Sequence, residues 1–246
     1  MLRFTIFFCI FILLVVGVVY FVFHSGFFKA NEIAVFGSIR DREIKEALIG
    51  DLLKTSKTRS LLGSENLLFW PPKEVKKIPS SLFWLSNLNI ERNWQEKKII
   101  INVTERKPWL LWCLAASGNC YWVDEGGIVF SSAPEAEGFI IPKVFEQGDR
   151  REFSFGQPLY ENSQMTENVL EIIKQTKNSS FLVSGFFIEN PSLKELIAQT
   201  SGLKLYFSLR FLFQNLDKIF TDLAGRLDLK KLEYIDFRVE NRIYYK

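Results

Sequence analysis

Cys113 and Cys120 bracket Leu-Ala-Ala-Ser-Gly-Asn, and both flanks, Trp109-Leu-Leu-Trp-Cys113 and Cys120-Tyr-Trp-Val123, read as strands. Ser117-Gly118-Asn119 is turn chemistry, so the spacing sets the two thiols across a hairpin and makes them a possible disulfide. Two reduced, half-buried thiols are the alternative. A zinc site is a poorer fit, because Cys9 sits in an apolar run and the chain's one histidine, His24, borders that run. The same shortage bears on hydrolysis, which needs an activated nucleophile, a metal or two facing carboxylates. His24 is badly placed to serve Cys113 or a distant serine. Asp124 and Glu125 are adjacent carboxylates, which on a strand point to opposite faces and in a turn are solvated. Gly126-Gly127 suits positive φ in a hairpin and lacks a phosphate loop's flanking pattern. Trp109, Trp112, Tyr121 and Trp122 crowd one hairpin, where cross-strand core packing is a simpler role than a sugar platform. These residues assign no catalytic, cofactor or metal site.

The elements that carry them begin with an apolar helix. From Phe4 to Phe23 there is no charge, and all but Thr5, Cys9, Gly17 and Tyr20 are Phe, Ile, Leu or Val. Such a run is long enough to cross a bilayer core, and each large apolar side chain favours insertion by roughly 0.3–0.6 kcal/mol. The run continues through Tyr20 and Phe23 into His24-Ser25-Gly26 without the small-residue cleavage site of a signal peptide, which predicts an uncleaved anchor. Arg3 precedes the span and the first basic residue after it is Lys29. That asymmetry predicts a cytoplasmic head over residues 1–3, a span over 4–23 and the bulk of the chain outside the cytoplasm.

With 24% charged and 48% hydrophobic residues, much of the apolar excess being the anchor, the remainder has the composition of folded domains. A net charge of +3, with both signs interspersed, provides no basic face for a nucleic acid. Residues 24–108 predict a first domain in the order β-α-α-β-β. Asn31 to Gly37 reads as a strand. A helix follows from Asp41, capped by Ser38 or Asp41, with apolar positions at Ile44, Ala47, Leu48 and Leu52. Pro71-Pro72 opens a second helix to Ile78, and Leu88–Asn93 and Lys98–Arg106 are strands around a polar turn. Residues 109–246 predict a mainly antiparallel β domain with inserted helices. Its strands are expected at Ile128–Ser131, Phe139–Val144, Phe181–Ile188, Lys194–Gln199, Lys204–Leu209 and Tyr234–Arg238, with helices at Gln164–Lys177 and Arg210–Leu223. Pro142 donates no ladder bond and belongs at a strand start or sheet edge. The fold class is α+β.

Several phrases occur in an order that resembles the FtsQ/DivIB proteins of bacterial cell division. The first domain is similar to their POTRA module, with Val35-Phe36-Gly37, Asn66-Leu67-Leu68 and the exit Val103-Thr-Glu-Arg-Lys-Pro108. Tyr121-Trp-Val-Asp124-Glu-Gly126-Gly127-Ile-Val-Phe130, Ile141-Pro142 and Tyr234-Ile-Asp-Phe-Arg238 resemble the family's later hairpin, its Leu-Pro step and its terminal strand. The resemblance implies a non-catalytic scaffold at the division septum, without cofactor or small-molecule substrate, that binds single-pass proteins of FtsB/FtsL type. A POTRA-bearing factor for outer-membrane protein assembly is the rival, although such factors carry tandem modules and a long barrel.

The stretch Tyr234 to Lys246 alternates and is expected to form an edge strand. Arg238, Val239, Glu240, Arg242, Tyr244 and Tyr245 are the candidate partner-binding residues, with Glu240-Asn241 a possible kink or turn. An edge guarded against aggregation by Arg and Lys is the alternative, and the resemblance implies that the bitopic partner binds here. The anchor reading predicts that a reporter fused after Lys246 is active only outside the cytoplasm. Cytoplasmic activity, or a mature chain lacking Met1 to Ser25, contradicts it.

Overall fold

The computed structural model of the chain describes residues 2–55, 61–71, 78–134, 140–177, 179 and 181–246. Helix α1, Leu2–His24, is one uninterrupted rod. Over Ile6–Phe23 its mean hydropathy is 3.2 and none of it is buried, so it is long and apolar enough to cross a membrane. The chain divides into two compact units, Met1–Glu105 and Arg106–Lys246.

In the first unit, β1 (Glu32–Phe36), β2 (Leu85–Asn93) and β3 (Lys98–Glu105) form a sheet of order β1-β3-β2. β1 runs parallel to β3 and β2 antiparallel to it. A parallel pair requires a crossover, and α2 (Asp41–Thr55) lies within it. Ile44, Leu48 and Leu52 fall four apart on its buried stripe, and Leu88, Ile90, Ile99, Ile101 and Val103 line buried positions of the sheet. Ser38 Oγ accepts from the Arg40 amide at 3.0 Å and donates to Glu105 at 2.6 Å, while Asp41 and Glu43 place negative charge in the first turn. Gly37 joins β1 to this start at φ +96°, and a Cβ there would lie 2.0 Å from the Val103 carbonyl oxygen. Only glycine fits so close an approach. Asn66 Oδ1 caps a single 3-10 turn, Leu67–Phe69, by accepting from the Leu68 amide at 2.9 Å. The second helix expected at 71–78 falls mostly outside the described residues, so the described order is β-α-β-β with this turn between.

The second unit is built on a ten-stranded sheet of order β13-β12-β11-β10-β9-β7-β4-β5-β6-β8. Its strands are β4 (Leu110–Leu114), β5 (Cys120–Val123), β6 (Ile128–Ala133), β7 (Lys143–Glu146), β8 (Gln157–Pro158), β9 (Val183–Ile188), β10 (Glu195–Thr200), β11 (Lys204–Ser208), β12 (Tyr234–Phe237) and β13 (Tyr244–Tyr245). Helix α3 (Ser163–Lys177) lies between β8 and β9, and α4 (Leu216–Arg226) between β11 and β12. The sheet is mixed. β4·β7, β7·β9 and β11·β12 are parallel, and the other neighbours are antiparallel. The helices cause two of these departures, since each inserts a crossover that returns the chain in the same direction. Met165, Val169, Ile172 and Ile173 of α3 and Leu216, Phe220 and Leu223 of α4 join Trp112, Val144, Phe186, Leu205, Phe207, Ile235 and Phe237 in one core.

Two boundaries differ most from expectation. α4 begins at Leu216, not Arg210, because Asn215 adopts φ +57° and Gln175 Oε1 takes the Leu216 amide at 2.7 Å, while Phe213 packs into the core. The strand expected from Phe139 begins at Lys143. Phe139 lies outside the described residues, and Pro142 precedes the ladder with its carbonyl accepting from the Leu111 amide at 3.0 Å.

Cys113 and Cys120 are directly opposed and bonded, with Cα atoms 4.0 Å apart. In the chain-entropy model, closing so short a loop stabilises by roughly 2–3 kcal/mol. Because side chains alternate, Trp112 and Tyr121 enter the helix-covered core while the disulfide and Leu111 form a small cluster with Trp122 and Phe145.

Gly37→Ala should destabilise the chain by roughly 2 kcal/mol or more in equilibrium denaturation, through positive φ and the clash with Val103. Gly50→Ala is the control: it sits in α2 with open space around it and should stabilise by roughly 0.5–1 kcal/mol.

Candidate functional site

The sheet has two edges, and they differ. At one, β8 pairs with only Ile128 and Val129 and ends in Pro158, which has no N–H to offer. At the other, β13 folds back on β12 with Ile235 opposite Tyr245 and Asp236 opposite Tyr244. Val239 to Arg242 make the return: the Val239 carbonyl accepts from the Arg242 amide at 3.2 Å, and Asn241 takes φ +60°. The Lys246 amide donates to the Tyr234 carbonyl at 3.2 Å and the Lys246 carbonyl accepts from the Glu233 amide at 2.6 Å. Bonding in an antiparallel ladder alternates, so Tyr244 and Lys246 turn their backbones toward β12 and Tyr245 turns its N–H and C=O outward. Val239, Tyr244 and Tyr245 are exposed by about half, at 47%, 47% and 53%.

Arg238 fixes the start of this return. Its Nε and Nη2 donate to Asp236 Oδ1 and Oδ2 at 2.9 and 2.6 Å, and its Nη1 donates to Glu195 Oε2 of β10 at 3.1 Å. The Arg238 amide also donates to Asp236 Oδ1 at 2.9 Å. The guanidinium carbon lies 4.9 Å from the Tyr206 ring centroid, and Tyr206 meets Tyr234 edge-to-face at 6.0 Å. Partial burial pushes the Asp236 carboxyl up, but the hydrogen bonds and charge of Arg238 outweigh it and hold it below its ordinary range. A fork-to-fork pair tied to a third strand stiffens the edge and presents a rigid surface.

Among the candidate partner-binding residues, Tyr244 and Tyr245 lie on β13. Val239, Glu240 and Arg242 lie in the turn, where Glu240-Asn241 is a possible kink by sequence, and the stretch expected as an edge strand is two strands, β12 and β13. β12 is therefore an interior strand, because the chain reverses at Asn241 and covers it. Glu195, Tyr206 and Tyr234 are additional members of the site. Asp236 and Arg238, two apart on one strand face, were a readable signal, whereas Glu195 is 43 residues away from Arg238 and left none.

Elsewhere in the second unit, Asp124 is occupied as a turn residue. Its Oδ1 accepts from the Gly126 and Ile128 amides at 3.0 and 2.9 Å, and its Oδ2 pairs with Arg106. A buried polar group surrounds Glu146, which accepts from Trp112 Nε1 at 2.8 Å and lies 3.6 Å from Arg150. Burial pushes this carboxyl above its ordinary range against the pull of Arg150 and Trp112. Arg150 stacks on Phe153 and Tyr160. A cleft of about 540 Å³ is lined by Pro142, Phe181, Leu182, Val183 and Phe186. Two of the serines at its rim are engaged: Ser179 donates to the Thr176 carbonyl and Ser184 to that of Gln199. Among the described residues, no group of three or more His, Cys, Asp and Glu is placed to hold a metal ion. In comparison with known proteins, the chain matches no family model and no curated protein.

The Asp236 carboxyl titrates below its ordinary value, so the stability it contributes is present above that value, near 3.8, and is lost as pH falls through the lower folded value. Asp236→Asn should therefore cost roughly 1 kcal/mol at neutral pH, the half-exposed Arg238 limiting the figure through solvent screening. In urea titrations the gap between variant and parent should close toward acid pH.

Proposed function

We propose that this chain is a non-catalytic, single-pass membrane scaffold of the bacterial division machinery, similar in role to FtsQ/DivIB proteins, whose β13 edge binds single-pass partners of FtsB/FtsL type. In this reading α1 crosses the cell membrane with a cytoplasmic amino terminus, the two units lie outside the cytoplasm, and the protein acts at the septum. The observation that carries the reading is the asymmetry of the ten-stranded sheet. One edge is blunted by Pro158, while the other offers the Tyr245 backbone beside exposed Tyr244 and Val239. An extended segment can add there by main-chain pairing, with the tyrosines supplying side-chain contacts. The lysine and arginine that flank the edge do not close it: Lys246 is paired with Glu233 at 3.1 Å, and Arg238 with Asp236 and Glu195.

The ladder geometry separates two substitutions. Tyr245→Pro removes an outward N–H while leaving the bonds to β12, and should weaken capture of the bitopic partner about tenfold or more. Tyr245→Phe keeps the backbone and should change affinity much less. Full-affinity binding by a folded chain truncated after Arg238 contradicts the placement.

A further inference from the structure

The turn Asn93–Lys97 between β2 and β3 carries Trp94, whose ring is 44% exposed. Its neighbours are the residues that follow α1. Phe28 is the junction, meeting Phe21 of α1 edge-to-face at 5.9 Å, Phe27 at 5.1 Å and Trp94 at 6.3 Å. Phe27 is 59% exposed. Hydrogen bonds hold the turn and the helix end together. Lys97 Nζ donates to the Gly26 carbonyl at 2.9 Å, the Asn31 amide donates to the Lys97 carbonyl at 2.7 Å, and Asn66 Nδ2 donates to the Val22 carbonyl at 3.0 Å. The Leu67 amide donates to the Phe28 carbonyl at 2.7 Å. One bond thus fastens the turn region to α1 at Val22 and the others fasten it to the residues just after the helix, with Phe27 and Trp94 exposed at that junction.

We propose that Phe27, Phe28 and Trp94 are seated in the headgroup layer of the bilayer, a second membrane contact that fixes the first unit against the surface. The inference rests on reading α1 as a membrane span. Phe21 lies inside the apolar window that ends at Phe23, and the headgroup layer beyond the hydrocarbon is roughly 5–8 Å thick in each leaflet. Two ring contacts, of 5.9 and 6.3 Å, lead from Phe21 to Trp94, which keeps the indole within reach of that layer. Tryptophan favours this depth because its ring is apolar and its N–H stays hydrated. Arg92, whose guanidinium lies 5.5 Å from the indole centroid, has the long stem that keeps a charge at the water side of such a site. Of the nearby cations, Lys98 pairs with Glu32 and Glu96 and Lys29 with Glu65, while Lys97 lies on the Gly26 carbonyl and Arg92 over the indole. The rings carry the seating by apolar insertion, so in zwitterionic lipid it needs no anionic headgroup and persists when salt is raised.

The test uses the full chain in phosphatidylcholine nanodiscs whose acyl chains are brominated close to the headgroup. Brominated lipid should quench part of the tryptophan emission, raised salt should leave the quenching unchanged, and Trp94→Phe should abolish it, the other five tryptophans being unaffected. Equal quenching in Trp94→Phe and parent overturns the seating. Carbonate washing of membranes separates this failure from that of the anchor. Retention of the chain with no quenching from Trp94 overturns the seating alone, and release of the chain overturns both.

Discussion

Phe207 and Phe237 stack face to face at 5.2 Å, and Phe220 of α4 meets both edge-on, at 6.5 and 5.7 Å. This contact joins β11, β12 and the helix between them. Phe213 closes it from the segment ahead of α4, at 5.7 Å from Phe207 and 6.3 Å from Phe237. Burying Phe207, Phe220 and Phe237 gains roughly 1.5–3 kcal/mol each, with a further 0.5–1.5 for each well-oriented pair, and the half-buried Phe213 adds less. The consequence is topological. Once α4 covers the helix face of β11, the chain can re-enter the sheet only parallel to β11, and the residues after Phe237 then emerge beside Glu195 and Tyr206. Arg238 finds both carboxylates there, the backbone reverses at Asn241, and β13 becomes the last strand.

The proposed scaffold follows from the same one-sided construction. Helices cover one face of the sheet, leaving its other face with scattered aromatic and charged groups and its ends to be closed separately. Proline closes the β8 end. A two-residue strand closes the β13 end only in part, because one ladder step satisfies β12 and turns the next residue's backbone outward. The buried Glu146 carboxylate shows a contrasting solution. Trp112 of β4 and Arg150 hold this β7 side chain inside the core at a desolvation cost.

Much of the local structure was legible in the residues. The charge-free run gave α1, the four-residue spacing of Ile44, Leu48 and Leu52 gave α2, and two strand-like arms around Ser117-Gly118-Asn119 set Cys113 opposite Cys120. Local signals did not reach the parallel pairings, because nothing near Leu111 announces Lys143 as its neighbour. The start of α4 was misplaced because the apolar periodicity ran back through Phe213, while the actual boundary is set by an αL residue and by a cap from Gln175 on another helix. At the candidate site the tyrosines and Arg238 were visible by type. Their arrangement was legible only in part: Glu240-Asn241 stood out as a possible turn, but the reversal onto β12 depends on Asn241 tolerating positive φ. The ring cluster of Phe27, Phe28 and Trp94 was hidden for a similar reason, Phe28 and Trp94 being distant in sequence.

Amide hydrogen exchange across residues 234–246 of the full chain, with and without the proposed short bitopic partners, tests the central claim most directly. Strand addition at β13 predicts that partner binding slows exchange at Tyr245, whose N–H faces outward, and leaves the β8 end at Gln157 unchanged. Saturating binding with no added protection at Tyr245, or with protection gathered at Gln157, contradicts the account.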